Sequence, residues 1–169
     1  QQLPIEEKES YRWIEAFQKT IERTPEGVQV VTVCDREGDF YEMFALAQER
    51  QADLLVRANA DRRLDEEVKS LWAKAESQKT VGALTVGIIG NDKRQARQAT
   101  VAVRFCTVTF RPPWRPQQKK LPPVTLTAIL VREENPPADV KEPIEWLLLT
   151  NTRVVDFHQA AQVIEWYCC

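Results

Sequence analysis

Val28-Gln29-Val30-Val31-Thr32-Val33-Cys34, followed at once by Asp35-Arg36-Glu37-Gly38-Asp39, is the stretch whose reading decides the fold. Its first seven residues are β-branched and almost continuously apolar, the pattern of a strand buried on both faces inside a parallel or mixed sheet. Asp35 is the first charge after it. Upstream, Glu6 to about Ile21 reads as a helix with Ser10, Ile14, Phe17 and Ile21 on one stripe and Trp13 beside it. Pro25-Glu26-Gly27 ends it. Downstream, Asp39 with Glu42 resembles a capping box, and Phe40, Met43, Phe44 and Ala47 then recur at helical spacing. Asp53 to Ala58 returns as a short strand. Strand, helix and strand with short connections make a βαβ unit, which places polar functional groups at the carboxyl ends of its strands.

After a second helical stripe at Leu64, Val68, Leu71 and Trp72, the texture changes to that of antiparallel strands near Thr80 to Ile89, Ala99 to Phe110 and Val124 to Arg132. In the middle one, Val101, Val103 and Phe105 share a face while Val108 and Phe110 fall on the other, so a bulge or bend is expected near Cys106. Trp146-Leu147-Leu148-Leu149-Thr150 resumes the first texture as a strand, and Phe157, Ala160, Ala161 and Ile164 mark a closing helix. The expected organisation is an α/β core over residues 1–62 and 145–169, interrupted by a β-rich insertion over residues 63–144. A chain of 169 residues, 43% hydrophobic, is long enough to bury such a core. The start at Gln1 and the stop at Cys168-Cys169 are read as the cut ends of something longer.

The classes that composition excludes narrow the field. No apolar run approaches the roughly 18 residues of a membrane span, and the first residues lack a signal peptide's apolar core, so the chain is expected in the cytoplasm. Cys34, Cys106, Cys168 and Cys169, with His158 as the only histidine, give no zinc spacing and are expected as free thiols; His158 is assigned no role. The formal charge of −2 is unevenly spread: Lys93 to Lys120 holds eight of the 23 basic residues and no acid, which leaves 15 basic against 25 acidic residues elsewhere. That block, with Phe105, Phe110 and Trp114 between its charges, fits phosphate binding with stacking surfaces, or a solvated hairpin face. Asp35 fits a metal ligand fixed by a rigid sheet, or a turn cap whose neighbour Arg36 pairs with an adjacent acid. Trp146, at the head of a strand, is on base rates a core residue.

Taken together, Glu6-Glu7-Lys8-Glu9-Ser10 with Arg12-Trp13, Val33-Cys34-Asp35-Arg36-Glu37-Gly38-Asp39, Val56-Arg57, and Trp146-Leu147-Leu148-Leu149-Thr150 followed by Ile164-Glu165-Trp166-Tyr167 resemble the bacterial cut-and-paste insertion-sequence DDE transposases with a Tyr-Arg-Glu-Lys signature. The resemblance runs in order through nearly the whole chain. It implies a partial RNase H-like core with a β-rich insertion, and two Mg²⁺ (or Mn²⁺) ions held in the complete enzyme by Asp, Asp and Glu. Asp35 looks like the second aspartate, catalytic and metal-binding. Tyr167 looks like the opening of the signature, whose arginine, glutamate and lysine fall beyond Cys169; the first aspartate belongs far upstream. Nothing in the resemblance gives Glu37 or Asp39 that missing role, so the piece alone is expected to be inactive.

The same resemblance makes Trp146 the tryptophan that stacks on a base flipped from the transposon end, and Arg57 an arginine contacting that DNA; Tyr167 is expected to grip the backbone nearby with Arg57. Arg97, Arg104 and Arg111 of the basic block are the expected further DNA contacts. The implied partners are transposon-end DNA, target DNA and a second copy in a homodimer, with no membrane. The implied reaction is nicking, hairpin formation and strand transfer. The rival reading is a non-catalytic or decayed relative that binds DNA, or a partner, through the basic insertion. A metal-free protein-interaction domain is a third class, and it predicts no affinity for DNA at low salt.

Overall fold

The computed structural model describes residues 10–64, 66–90, 95–113 and 121–169. It is a mixed α/β structure. Helix α1 spans Tyr11–Arg23 and buries Ile14 and Phe17; Thr24 leaves it extended, as a residue before Pro25 must, and Gly27 turns the chain at φ 77°. Strand β1 spans Val31–Cys34, and a 3₁₀ turn at Arg36–Gly38 leads into helix α2, Tyr41–Arg50. Strand β2, Asp53–Arg57, pairs in parallel with β1, so the expected βαβ unit is present. A short helix α3, Leu71–Glu76, starts where the Ser70 hydroxyl accepts the Ala73 N–H. Strands β3 (Gly82–Ile88), β4 (Arg97–Phe110), β5 (Val124–Arg132) and β6 (Glu145–Thr150) follow, and helix α4, Phe157–Cys168, closes the chain with Asp156 capping the Gln159 N–H.

The six strands among the described residues form one sheet in the order β1-β2-β6-β5-β4-β3. The two stretches assigned to the core thus meet through the antiparallel β2–β6 pair, and the stretch read as an insertion extends the same sheet on the far side of β6. Helices α1, α2 and α3 cover one face, where Phe17, Met43, Phe44 and Leu71 pack on Leu54, Val56, Val108, Phe110 and Leu147. Helix α4 covers the other, where Ala160, Val163 and Ile164 pack on Leu55, Val101, Val103, Ile129 and Leu148. No helix among the described residues is long and apolar enough to cross a membrane.

Several local expectations are corrected by this arrangement. Strand β1 is a short edge strand, not a long one buried on both faces: Val28 and Val30 precede it and are 52% and 38% exposed, and within it Val33 is 40% exposed, because only β2 flanks it and α4 lies over the opposite end of the sheet. No bulge interrupts β4, whose register with β5 is continuous from Ala102 opposite Arg132 to Phe110 opposite Val124. The apolar residues change face because α4 covers the first part of the strand on one side, while the other helices cover its end on the other. The second helical stripe is also shorter than expected. Val68 is exposed, and Leu64 bridges to Phe110 instead of joining α3. The predicted capping box is absent too, since Phe40 is the N-cap of α2 and makes no side-chain cap bond.

One buried ion pair ties β4 to the end of β5. Arg97 donates to both carboxylate oxygens of Glu133, at 2.5 and 2.7 Å, and the Ile144 N–H donates to the same carboxylate at 3.1 Å. The Arg97 bond, helped by the Ile144 N–H, holds the Glu133 carboxyl below its ordinary value of 4.5 even though burial acts the other way. A depressed carboxyl pKa contributes stability that is present above the unfolded value and is lost as pH falls through the folded one. Urea midpoints of the wild type are therefore expected to fall as pH is lowered from about 5 towards about 3, with a shallower fall in Glu133→Gln. Equal slopes for the two proteins would remove Glu133 from the acid response.

Candidate nucleic-acid interface

Because β1 and β2 run in parallel, their carboxyl ends lie at one end of the sheet, and the antiparallel β6 brings its amino end there too. Asp35 follows β1 directly, and carrying the register one residue further places it beside Arg57. Asp35 is exposed, and its Oδ1 accepts the Glu37 N–H at 2.9 Å, so it does cap the 3₁₀ turn, as the plainer reading held. Glu37 pairs with Arg12 of α1 at 3.3 Å; both side chains are more than half exposed, so the pair adds little stability. Burial, and then the neighbouring Asp35 charge, push the Cys34 thiol up to about 11. None of the four cysteines is in a disulfide.

Arg57, Trp146 and Tyr167, distant in sequence, meet at this end. The Arg57 guanidinium lies 6.0 Å from the centre of the Trp146 ring, within reach of a cation–π contact, and also reaches towards the Glu145 carbonyl at 3.5 Å. Tyr167, at the end of α4, meets Trp146 edge to face with ring centres 5.2 Å apart. Trp146 packs against the cluster under α4 yet is only half-buried, as is Tyr167, so it is neither a core residue nor a free one.

The described arginines of the basic block do not form a single cationic face. Arg97 is committed to Glu133, and Arg104 forms a 2.5 Å pair with Glu134. Their positions on β4 have opposite parity, which puts them on opposite faces of the sheet. Arg111 is exposed just beyond β4. Phe110 offers no stacking surface: it is 1% exposed and packs edge to face on Phe44. Lys93, Arg94, Trp114, Arg115, Lys119 and Lys120 lie outside the described residues, as does the start of the predicted first helix.

Sequence reasoning missed two residues that hold this end together, Asp39 and Arg62. The Asp39 side chain is fully buried and pairs with Arg62 at 2.5 Å. The sequence carries no signal for this pair: Asp39 reads as a local helix cap and Arg62 follows Asp61 directly, so each has a nearer partner than the one the fold supplies.

No protein-family model matches the chain, and no curated protein matches it. Among the described residues, no group of three His, Cys, Asp or Glu side chains is placed to hold a metal ion. The strand-end donor set is one carboxylate with an oxygen already engaged in the turn, which does not fit two divalent ions held about 4 Å apart.

Proposed function

We propose that this chain is part of the catalytic domain of a cut-and-paste DNA transposase, a partial RNase H-like core extended by the β3–β5 strands, acting in the cytoplasm on the ends of its own element. The observation that carries the reading is the convergence of Arg57, Trp146 and Tyr167 at the strand end where Asp35 emerges. A half-buried indole with an arginine over one side and a tyrosine at its edge is a stacking platform beside a cation, the pairing that a base and its phosphate require.

In this reading Trp146 receives a base pulled from the duplex at the transposon end, and Arg57 holds the backbone beside it. Tyr167, packed edge to face with the indole, fixes its orientation and grips the backbone nearby. Hairpin formation bends DNA sharply, and stacking worth on the order of 1 to 3 kcal/mol offsets much of the cost of extruding one base. The complete enzyme, working as a homodimer on transposon-end and target DNA, would need two further acids beside Asp35 to hold Mg²⁺ or Mn²⁺ ions, which would supply Lewis-acid activation of water.

Trp146→Ala in the complete transposase is expected to slow hairpin formation by about tenfold or more while first-strand nicking changes little. A substrate abasic at the flipped position has nothing to unstack and is expected to regain part of the lost rate. Equal losses in both steps, with no rescue by the abasic substrate, would return Trp146 to a purely structural role.

A further inference from the structure

We propose that Asp39 is a positioning residue for this strand-end site, holding Arg57 against Trp146 and the Asp35 turn beside them; this rests on the reading of that end as a DNA-binding surface. One oxygen of the buried Asp39 carboxylate accepts the N–H groups of Asn59 and Ala60, at 2.6 and 3.1 Å, immediately after Arg57 and Ala58. The other accepts Arg62 Nε and Nη2, at 3.0 and 2.5 Å, and Nη2 also donates to the Asp39 carbonyl at 2.7 Å. A single side chain thus joins the segment leaving β2 to the turn leaving β1.

Neither end of this clamp has slack. On the turn side, the Gly38 N–H donates to the Asp35 carbonyl at 3.1 Å and the Asp39 N–H to the Arg36 carbonyl at 3.3 Å. A Cβ on Gly38 would stand 2.5 Å from the Cys34 Cβ, so the turn packs directly on β1. On the core side, the Arg62 guanidinium lies 5.7 Å from the Phe44 ring centre and 5.6 Å from that of Phe110, which ties the clamp to α2 and β4. The Ala58 N–H donates to the Leu147 carbonyl at 2.7 Å, one residue from Trp146. Asp39 therefore connects to both members of the Arg57–Trp146 contact through rigid backbone.

A buried ion pair is a poor way to gain stability alone, because an apolar pair of the same size often does as well. What a carboxylate adds is direction: two main-chain donors and a guanidinium fork converge on fixed lone pairs. Asp39 does not offer itself as a metal ligand in this arrangement, since both its oxygens are engaged by four N–H groups.

The test uses fluorescence anisotropy with two short duplexes, one fully paired and one carrying a single unpaired base, on the wild-type chain, Asp39→Asn and Arg62→Lys. Arg62→Lys keeps the charge but loses the two-bond fork and the flat face lying on the two rings, and it decides the matter should Asp39→Asn not fold. The wild type is expected to prefer the unpaired-base duplex. In the variants that preference is expected to fall by about tenfold, while affinity for the paired duplex stays within about twofold. A wild type with no preference overturns the DNA-binding reading and this inference together. A preference kept in both variants overturns the inference alone, as does a parallel loss on both duplexes, which is the mark of a merely structural role.

Discussion

If the proposed transposase reading holds, Asp35→Asn in the complete protein is expected to lower strand cleavage by more than about 100-fold, while binding to the transposon end changes by less than about threefold. The scale follows from chemistry: altering groups one shell out from a metal already costs about 10 to 100-fold, and in the proposed reading this substitution removes a charged ligand itself. The asymmetry follows from structure. An asparagine amide oxygen at this position would still accept the Glu37 N–H that Asp35 now receives at 2.9 Å, so the turn and its neighbours keep their places. Arg57, Trp146 and Tyr167 are untouched, and they carry the proposed DNA contacts. Single-turnover cleavage and an end-binding titration on the same preparation separate the two effects. Cleavage near the wild-type rate would leave Asp35 as the turn cap it visibly is, and nothing more.

Arg62→Leu should destabilise the fold by about 3 to 5 kcal/mol, the cost of leaving a buried charge without its partner. The Asp39 side chain is 0% exposed and Arg62 only 21%, so water cannot replace the lost guanidinium without opening the packing around it. Leucine also forfeits the guanidinium's contact with the Phe44 and Phe110 rings. Removing both charges in Asp39→Asn/Arg62→Leu is expected to recover a large part of the loss, because the unpaired carboxylate goes with them. Urea unfolding at constant slope measures both numbers. A loss below about 1 kcal/mol for Arg62→Leu would place the pair among weak surface bridges and undermine its positioning role.

The two substitutions ask different things of one region. Asp35 tests chemistry at the tip of β1, where a change leaves the fold alone; Arg62 tests the support beneath it, where a change reaches the core. The basic block invites less weight than its composition gave it. Arg97 and Arg104 meet glutamates that lie 36 and 30 residues away in sequence, and they occupy different faces.

By itself the sequence determined the element types and most of their order. The alternation in Val101 to Phe110, the β-branched run before Asp35 and the apolar spacing in α1 and α4 all depend on a residue's nearest neighbours, and local periodicity reports those directly. It also picked out Asp35, by its place directly after the β-branched run, whereas Arg57, Trp146 and Tyr167 were singled out as DNA contacts through resemblance alone. Only the tertiary structure decided which strand is an edge, since the exposure of Val33 depends on β2 being the one strand beside β1 and on α4 lying elsewhere. It alone paired Arg97 with Glu133, sent the Asp39 carboxylate to Asn59, Ala60 and Arg62 instead of a helix cap, and kept β4 unbroken where a change of face pointed to a bulge. The reason is the same in each case: a side chain's face is set by the backbone repeat, whereas its partner and its burial are set by what the rest of the chain stacks against that face.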